Sequence, residues 1–137
     1  MEANARTPVR VLAVDDQAVF RRTARSLIAA TPGFEQVGEA ASGQEALELA
    51  SDLRPDLMLV DVRMPGMDGL ETARRLSEID PSAVIVLISL DPVPELPASI
   101  DSVGARAHLR KQELSTRTLR AVWDAHCPSP GETHTEV

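Results

Sequence analysis

Two adjacent carboxylates, Asp15 and Asp16, follow the apolar run VRVLAV, and a third, Asp61, follows DLMLV. Ser89 ends the aliphatic run AVIVLIS, and Lys111 follows another run much later in the chain. If these runs are neighbouring parallel strands, all five side chains lie along one edge of one sheet. Carboxylates brought together in this way repel: two unit charges ~4 Å apart interact by about 4 kcal/mol at an effective dielectric of roughly 20. Such a cluster persists only when a cation neutralises it, and hard oxygen ligands favour Mg²⁺ or a similar divalent ion. A carboxylate beside Mg²⁺ and a lysine is a place where a phosphoryl group can be accepted.

The elements that must position these residues are legible from periodicity. Short apolar runs at 9–14, 34–40, 56–60, 83–89 and 105–110 predict five strands. Behind Asp16, a candidate helix cap, Val19, Phe20, Thr23, Ala24, Leu27 and Ile28 repeat with helical period until Pro32-Gly33. Ser42-Gly-Gln-Glu45 reads as a capping box, opening a helix with Ala46, Leu49, Ala50 and Leu53 inward. Asp68 and Glu71 repeat that spacing ahead of Leu70, Ala73, Leu76 and Ile79. Strand–helix alternation predicts an α/β fold, a flavodoxin-like doubly wound parallel sheet in the order 2-1-3-4-5. In that order the first and third strands flank the point where the winding reverses, so Asp15, Asp16 and Asp61 face one crevice.

One stretch resists the alternation. Segment 91–97 holds three prolines where a helix is due. Proline inside a helix costs about 3 kcal/mol, so the fourth helix is expected to be shortened or irregular, starting near Ala98 and ending at Gly104. A last helix over 114–125 would pack through Leu119, Val122 and Trp123. Residues 1–8 read as a flexible lead-in, 9–126 as one domain and 127–137 as a tail or linker.

Bulk composition narrows the function. With 137 residues, 43% hydrophobic and 26% charged, the chain matches one globular domain. Aromatic residues are scarce, so the core must be aliphatic, as in parallel sheets flanked by helices. A formal charge of −7 argues against nucleic-acid binding through this domain. Cys127 is the sole cysteine, which excludes an internal disulfide and suits a reducing compartment. No apolar run reaches membrane-spanning length, so neither membrane insertion nor a location outside the cytoplasm is expected.

The chain resembles the receiver domain of bacterial two-component response regulators from about Val9 to Ala125. The resemblance rests on Val-Asp-Asp after the first strand, Asp61-x-x-Met64-Pro65-x-x-Asp68-Gly69, Ser89 and Lys111, in that order. It implies that Asp61 is the phosphoacceptor, attacking a phosphohistidine on a sensor histidine kinase or phosphotransfer protein. It further implies Mg²⁺ held by Asp16 directly, by Asp15 directly or through water, by Asp61 and by the backbone carbonyl of Arg63. Lys111 and Ser89 would contact the phosphoryl oxygens. His108 takes the position of the family's switching aromatic, where an imidazole would make switching sensitive to pH. The partner downstream is unknown.

Several residues depart from that pattern. Leu90 replaces a small residue after Ser89 and is expected, with an Arg63–Asp91 contact, to slow hydrolysis of the phosphorylated form. Gln112 stands where a proline often follows the lysine, so a trans peptide is expected. Receivers of the nitrate-regulator type tend to share that departure, and Val37-Gly-Glu-Ala-Ala-Ser-Gly43 looks like theirs. The prolines of 92–97 fall on a surface used for dimers or outputs, so no standard dimer is carried over. Arg21, Arg22 and Arg25 form either a dock for an acidic kinase surface or a solvated helix face.

Competing classes fit less well. A haloacid-dehalogenase-type phosphatase needs Asp-x-Asp, whereas this chain has Asp61-Val-Arg63. A flavodoxin-like electron carrier needs a phosphate loop and stacking aromatics, but Asp15-Asp16-Gln17 would repel the flavin phosphate. Within the receiver class, two alternatives to a stand-alone module are open. One is the receiver half of a DNA-binding regulator cut at its linker. The other is a receiver-like interaction module that no longer needs phosphorylation.

Overall fold

Aliphatic runs free of charge make strands that can be covered on both faces, and the sheet is built on two of them. The computed structural model describes residues 7–90 and 100–128. Strands β1 (Val9–Val14), β2 (Phe34–Ala40), β3 (Leu57–Asp61), β4 (Val84–Ser89) and β5 (Ala107–Arg110) form one sheet, ordered β2-β1-β3-β4-β5. Every pairing is parallel. Each residue of β3 and β4 is buried. The described helices are α1 (Ala18–Ala30), α2 (Gly43–Leu53), α3 (Gly69–Ile79) and α4 (Thr116–His126). The expected doubly wound architecture and strand order are borne out.

Alternation along the strands divides the core into two layers. Leu12, Val14, Met58, Val60, Ile85 and Leu87 face Ala46, Ala50, Ala73 and Leu76 of α2 and α3. Val11, Ala13, Leu57, Leu59, Val84, Val86 and Ile88 face Ala24 and Ile28 of α1 and Leu119 of α4. Small alanines on the helices let them approach the sheet closely, and the aliphatic strand residues fill the space between.

Local details differ from the sequence expectation. Asp16 does not cap α1: Gln17 occupies the cap position without a side-chain bond, and its backbone N–H donates to Asp15 Oδ1 at 2.8 Å. Ser42 caps α2 as expected, but Glu45 accepts from the N–H of Ala41, one residue before the cap. Asp68 caps α3, while the Glu71 carboxylate turns to Arg74 and Arg75. β5 starts two residues later than read, because Ala105 belongs to the turn closing the short 3-10 segment Ile100–Val103. Another 3-10 turn, Lys111–Glu113, precedes α4, which starts at Thr116 with Ser115 as its cap. The expected proline-disrupted helix start and Asp91 lie outside the described residues, as do positions 1–6 and 129–137 of the lead-in and tail. Among the described residues no peptide bond is cis, so Lys111-Gln112 is trans. Among them also, no helix is long and apolar enough to cross a membrane.

Candidate functional site

Parallel strands deliver their C-terminal residues to one edge of the sheet, and the register places the polar groups there. Val14 pairs with Val60, so Asp15 and Asp61 each emerge one residue further on. Asp61 pairs with Ile88, and Ser89 with Arg110, so Ser89 and Lys111 follow at the same level. The loop after β3 turns through Gly66, whose φ of +77° is a left-handed conformation that Pro65-Gly66 supplies at little cost. Asp15, Asp16 and Asp61 each offer an oxygen, and these lie within 4.8 Å of one another. Asp61, Arg63, Ser89, Leu90, Lys111 and Gln17 line a cleft of about 200 Å³.

Asp15 is held from several directions. Its N–H donates to the Ala40 carbonyl at 3.0 Å, and its own carbonyl accepts from the Arg21 guanidinium at 2.7 Å. The Lys111 ammonium stands 2.6 Å from Asp15 Oδ2 and 3.9 Å from Asp61 Oδ2. Asp15 is fully buried and Asp61 is 5% exposed. Asp15 Oδ2 has no hydrogen bond of good geometry among the described residues, so the ammonium meets its charge but leaves its lone pairs poorly directed.

Repulsion expected from the sequence shows in the protonation of Asp61. Burial first, and then the Asp15 charge, push its carboxyl up to about 6. Lys111 and the backbone N–H of Arg63 pull it down, and Asp16 adds a smaller push upward. The net result is a carboxylate whose charge the protein alone does not balance. A buried oxygen with poorly directed donors, in a set of hard carboxylates, fits a small divalent cation.

His108 meets Ser89 directly. Ser89 Oγ and His108 Nε2 are 2.8 Å apart. The register explains the contact: Leu87 pairs with His108, making Ser89 its diagonal neighbour on the same face of the sheet. Burial lowers the His108 pKa against the pull of Glu113, keeping the imidazole neutral at neutral pH.

Sequence reading missed the supports around these groups. Phe20 puts its ring centroid 4.5 Å from the Lys111 ammonium. Arg21 and Arg25 both pair with Glu39 of β2, at 3.5 and 2.5 Å, so two of the three arginines read as either a dock or a solvated helix face are engaged within the protein. The signal was available: α1 and β2 are joined by a short turn and run antiparallel, which puts these charges side by side.

The response regulator receiver domain family matches residues 11–123 of the chain. The nitrate/nitrite response regulator protein NarL of Escherichia coli is 37% identical over 118 residues, 86% of this chain and 55% of that protein. A protein-glutamate methylesterase/protein-glutamine glutaminase of Alkalilimnicola ehrlichii is 45% identical over 82 residues, 60% of this chain and 21% of that protein. The chain thus spans between about a fifth and about half the length of these relatives. Among solved structures, the signal receiver domain of the putative response regulator NarL from Mycobacterium tuberculosis superposes with a TM-score of 0.78 at 33% identity, covering 88% of this chain and 97% of that one. The chain belongs to the response regulator receiver domain family of two-component signalling.

Proposed function

We propose that this domain accepts a phosphoryl group on Asp61 from a sensor histidine kinase or phosphotransfer protein in the cytoplasm, and signals by a conformational switch. The observation that supports it best is the convergence of Asp15, Asp16 and Asp61 within 4.8 Å beside Lys111. In this reading Asp15, Asp16, Asp61 and the Arg63 carbonyl hold Mg²⁺. When bound, the ion would supply positive charge for the equatorial oxygens of the transferring group. Asp61 attacks phosphorus in line as the P–N bond to the donor imidazole breaks. Lys111 follows the charge from Asp15 to the phosphoryl oxygens, and Ser89 donates its hydroxyl to them. Ser89 must exchange His108 for that acceptor, and His108 then repacks, so these two residues form the switch. The imidazole is neutral at rest, so sensitivity to pH would appear only in acid. The domain is a phosphoacceptor that supports its own transfer, not a free-standing enzyme, and it contacts neither nucleic acid nor membrane itself.

Incubation with acetyl phosphate and Mg²⁺ should add one phosphoryl group by intact mass. The gain should be absent with EDTA and absent in Asp61→Asn; no gain in the wild-type protein would defeat the reading. Leu90, 62% exposed at the cleft, is expected to impede attacking water. Leu90→Ala should shorten the half-life of the phosphorylated form severalfold, and an unchanged half-life would remove that role. A second reading, the receiver half of a longer regulator such as one that binds DNA, takes its support from length alone: the chain covers 55% of the nitrate/nitrite response regulator NarL. The two readings share the same phosphorylation chemistry, and the intact coding sequence separates them.

A further inference from the structure

The ammonium of Lys111 is shared unequally. It lies 2.6 Å from Asp15 and 3.9 Å from Asp61, although both carboxylates are buried and both are within reach. Its side chain is only 13% exposed, so water does little to set its place. Phe20 adds a contact to the ammonium where it stands beside Asp15, with its ring centroid 4.5 Å from Nζ. The electron-rich face of an aromatic ring attracts a cation, and more strongly where the cation is desolvated. Phe20 sits in the first turn of α1 and packs against the core layer formed with α1 and α4. That packing restricts the ring from swinging away with the lysine.

We propose that Phe20 is a positioning residue of the phosphotransfer site, holding the Lys111 ammonium against Asp15 in competition with Mg²⁺. The inference rests on the phosphoacceptor reading for its purpose, but not for its test. The ammonium lies 2.6 Å from Asp15 Oδ2, a carboxylate that would also hold the divalent ion, so the two compete for one charge. With the ion held by Asp15, Lys111 would be available to Asp61, 3.9 Å away, and to the incoming phosphoryl oxygens. The ring therefore strengthens the competitor of Mg²⁺ and weakens Mg²⁺ binding. It also couples metal binding to the release of Lys111.

The test is calorimetric titration of Mg²⁺ into the full chain without any phosphodonor. Phe20→Leu removes the ring face while keeping an apolar side chain, and should bind Mg²⁺ more tightly, by about twofold at the exposed limit of a cation–ring contact and up to roughly thirtyfold at the desolvated one. Phe20→Tyr restores the face and should return wild-type affinity. In a Lys111→Met background the same Phe20→Leu change should have no effect, because no ammonium remains to be held. Unchanged or weaker Mg²⁺ binding in Phe20→Leu overturns the proposal, and so does an equal gain in the Lys111→Met background. Phe20→Met gives the same readout if circular dichroism shows the leucine variant misfolded. Should acetyl phosphate leave the mass unchanged while these affinities shift as stated, the phosphoacceptor reading falls and the role of Phe20 stands. Phosphorylation with no shift in affinity means the reverse.

Discussion

Asp61→Asn is expected to make the protein more stable at neutral pH while abolishing its capacity to gain phosphoryl mass. The carboxyl of Asp61 is pushed from an ordinary 3.8 to about 6, by burial first and by the Asp15 charge second. A carboxyl raised in this way favours folding only while it is protonated. Its contribution is fully present below pH 3.8, declines across the window up to about 6, and is lost above it. At neutral pH the folded protein thus carries an unfavourable charge that asparagine, of nearly the same shape, does not. After allowance for screening at the open cleft, the variant should gain on the order of 1–2 kcal/mol. Urea unfolding of both proteins across the acid range checks the sign. The advantage of the variant should be largest above pH 6 and should shrink as the pH falls toward 3.8. Adding Mg²⁺ should narrow the gap at neutral pH, since a bound cation relieves the repulsion only in the wild type. A variant less stable than wild type at neutral pH would mean that Asp61 is held by donors that outweigh its burial.

The sequence was most informative where one physical cause dominates. β3 and β4 are buried on both faces, so uninterrupted aliphatic runs identify them within a residue. Asp15, Asp61, Ser89 and Lys111 come together for the same reason: parallel strands share an edge, and the last residue of each run must emerge there. Legibility declines where several weak causes compete. Asp16 has the residue type of a cap and stands near the right place, yet the backbone of Gln17 is satisfied by Asp15 instead. The start of α4 was misplaced because Leu114 fits the apolar pattern, whereas Ser115 and Thr118 make the capping bonds that set the boundary.

Contacts between residues remote in sequence were the least legible. Lys111 over Phe20 spans most of the chain, and no local pattern signals it. The bond between Ser89 and His108 depends on the register of β4 against β5, which the weak fifth run left open to a shift of one residue. Such a shift would turn His108 to the opposite layer. Resemblance to the receiver family supplied the position of His108, but the hydrogen bond follows from this chain's own imidazole.

Gly69→Ala is expected to destabilise the protein by about 3 kcal/mol and to remove phosphorylation with it. The cause is space, not backbone conformation. A Cβ at Gly69 would stand 2.0 Å from the Asp61 carbonyl oxygen and 2.6 Å from the Cα of Val62. Both are backbone atoms at the end of a buried strand, so no rotamer change relieves the overlap. Gly69 also donates its N–H to the Val62 carbonyl at 2.8 Å, which ties the start of α3 to the residue after Asp61. On an exposed helix the same change would stabilise by about 1 kcal/mol, so propensity and packing predict opposite signs here. The overlap decides, because either α3 or the end of β3 must move. Gly66→Ala is the control in the same loop: φ of +77° strains an alanine, but nothing lies within 4 Å of its Cβ. That variant should lose about 1 kcal/mol and keep its phosphoryl acceptance. Thermal unfolding and acetyl phosphate labelling of both variants separate strain in a loop from displacement of Asp61. If Gly69→Ala unfolds at the wild-type temperature, the close approach of α3 to β3 is not what holds the acceptor carboxylate in place.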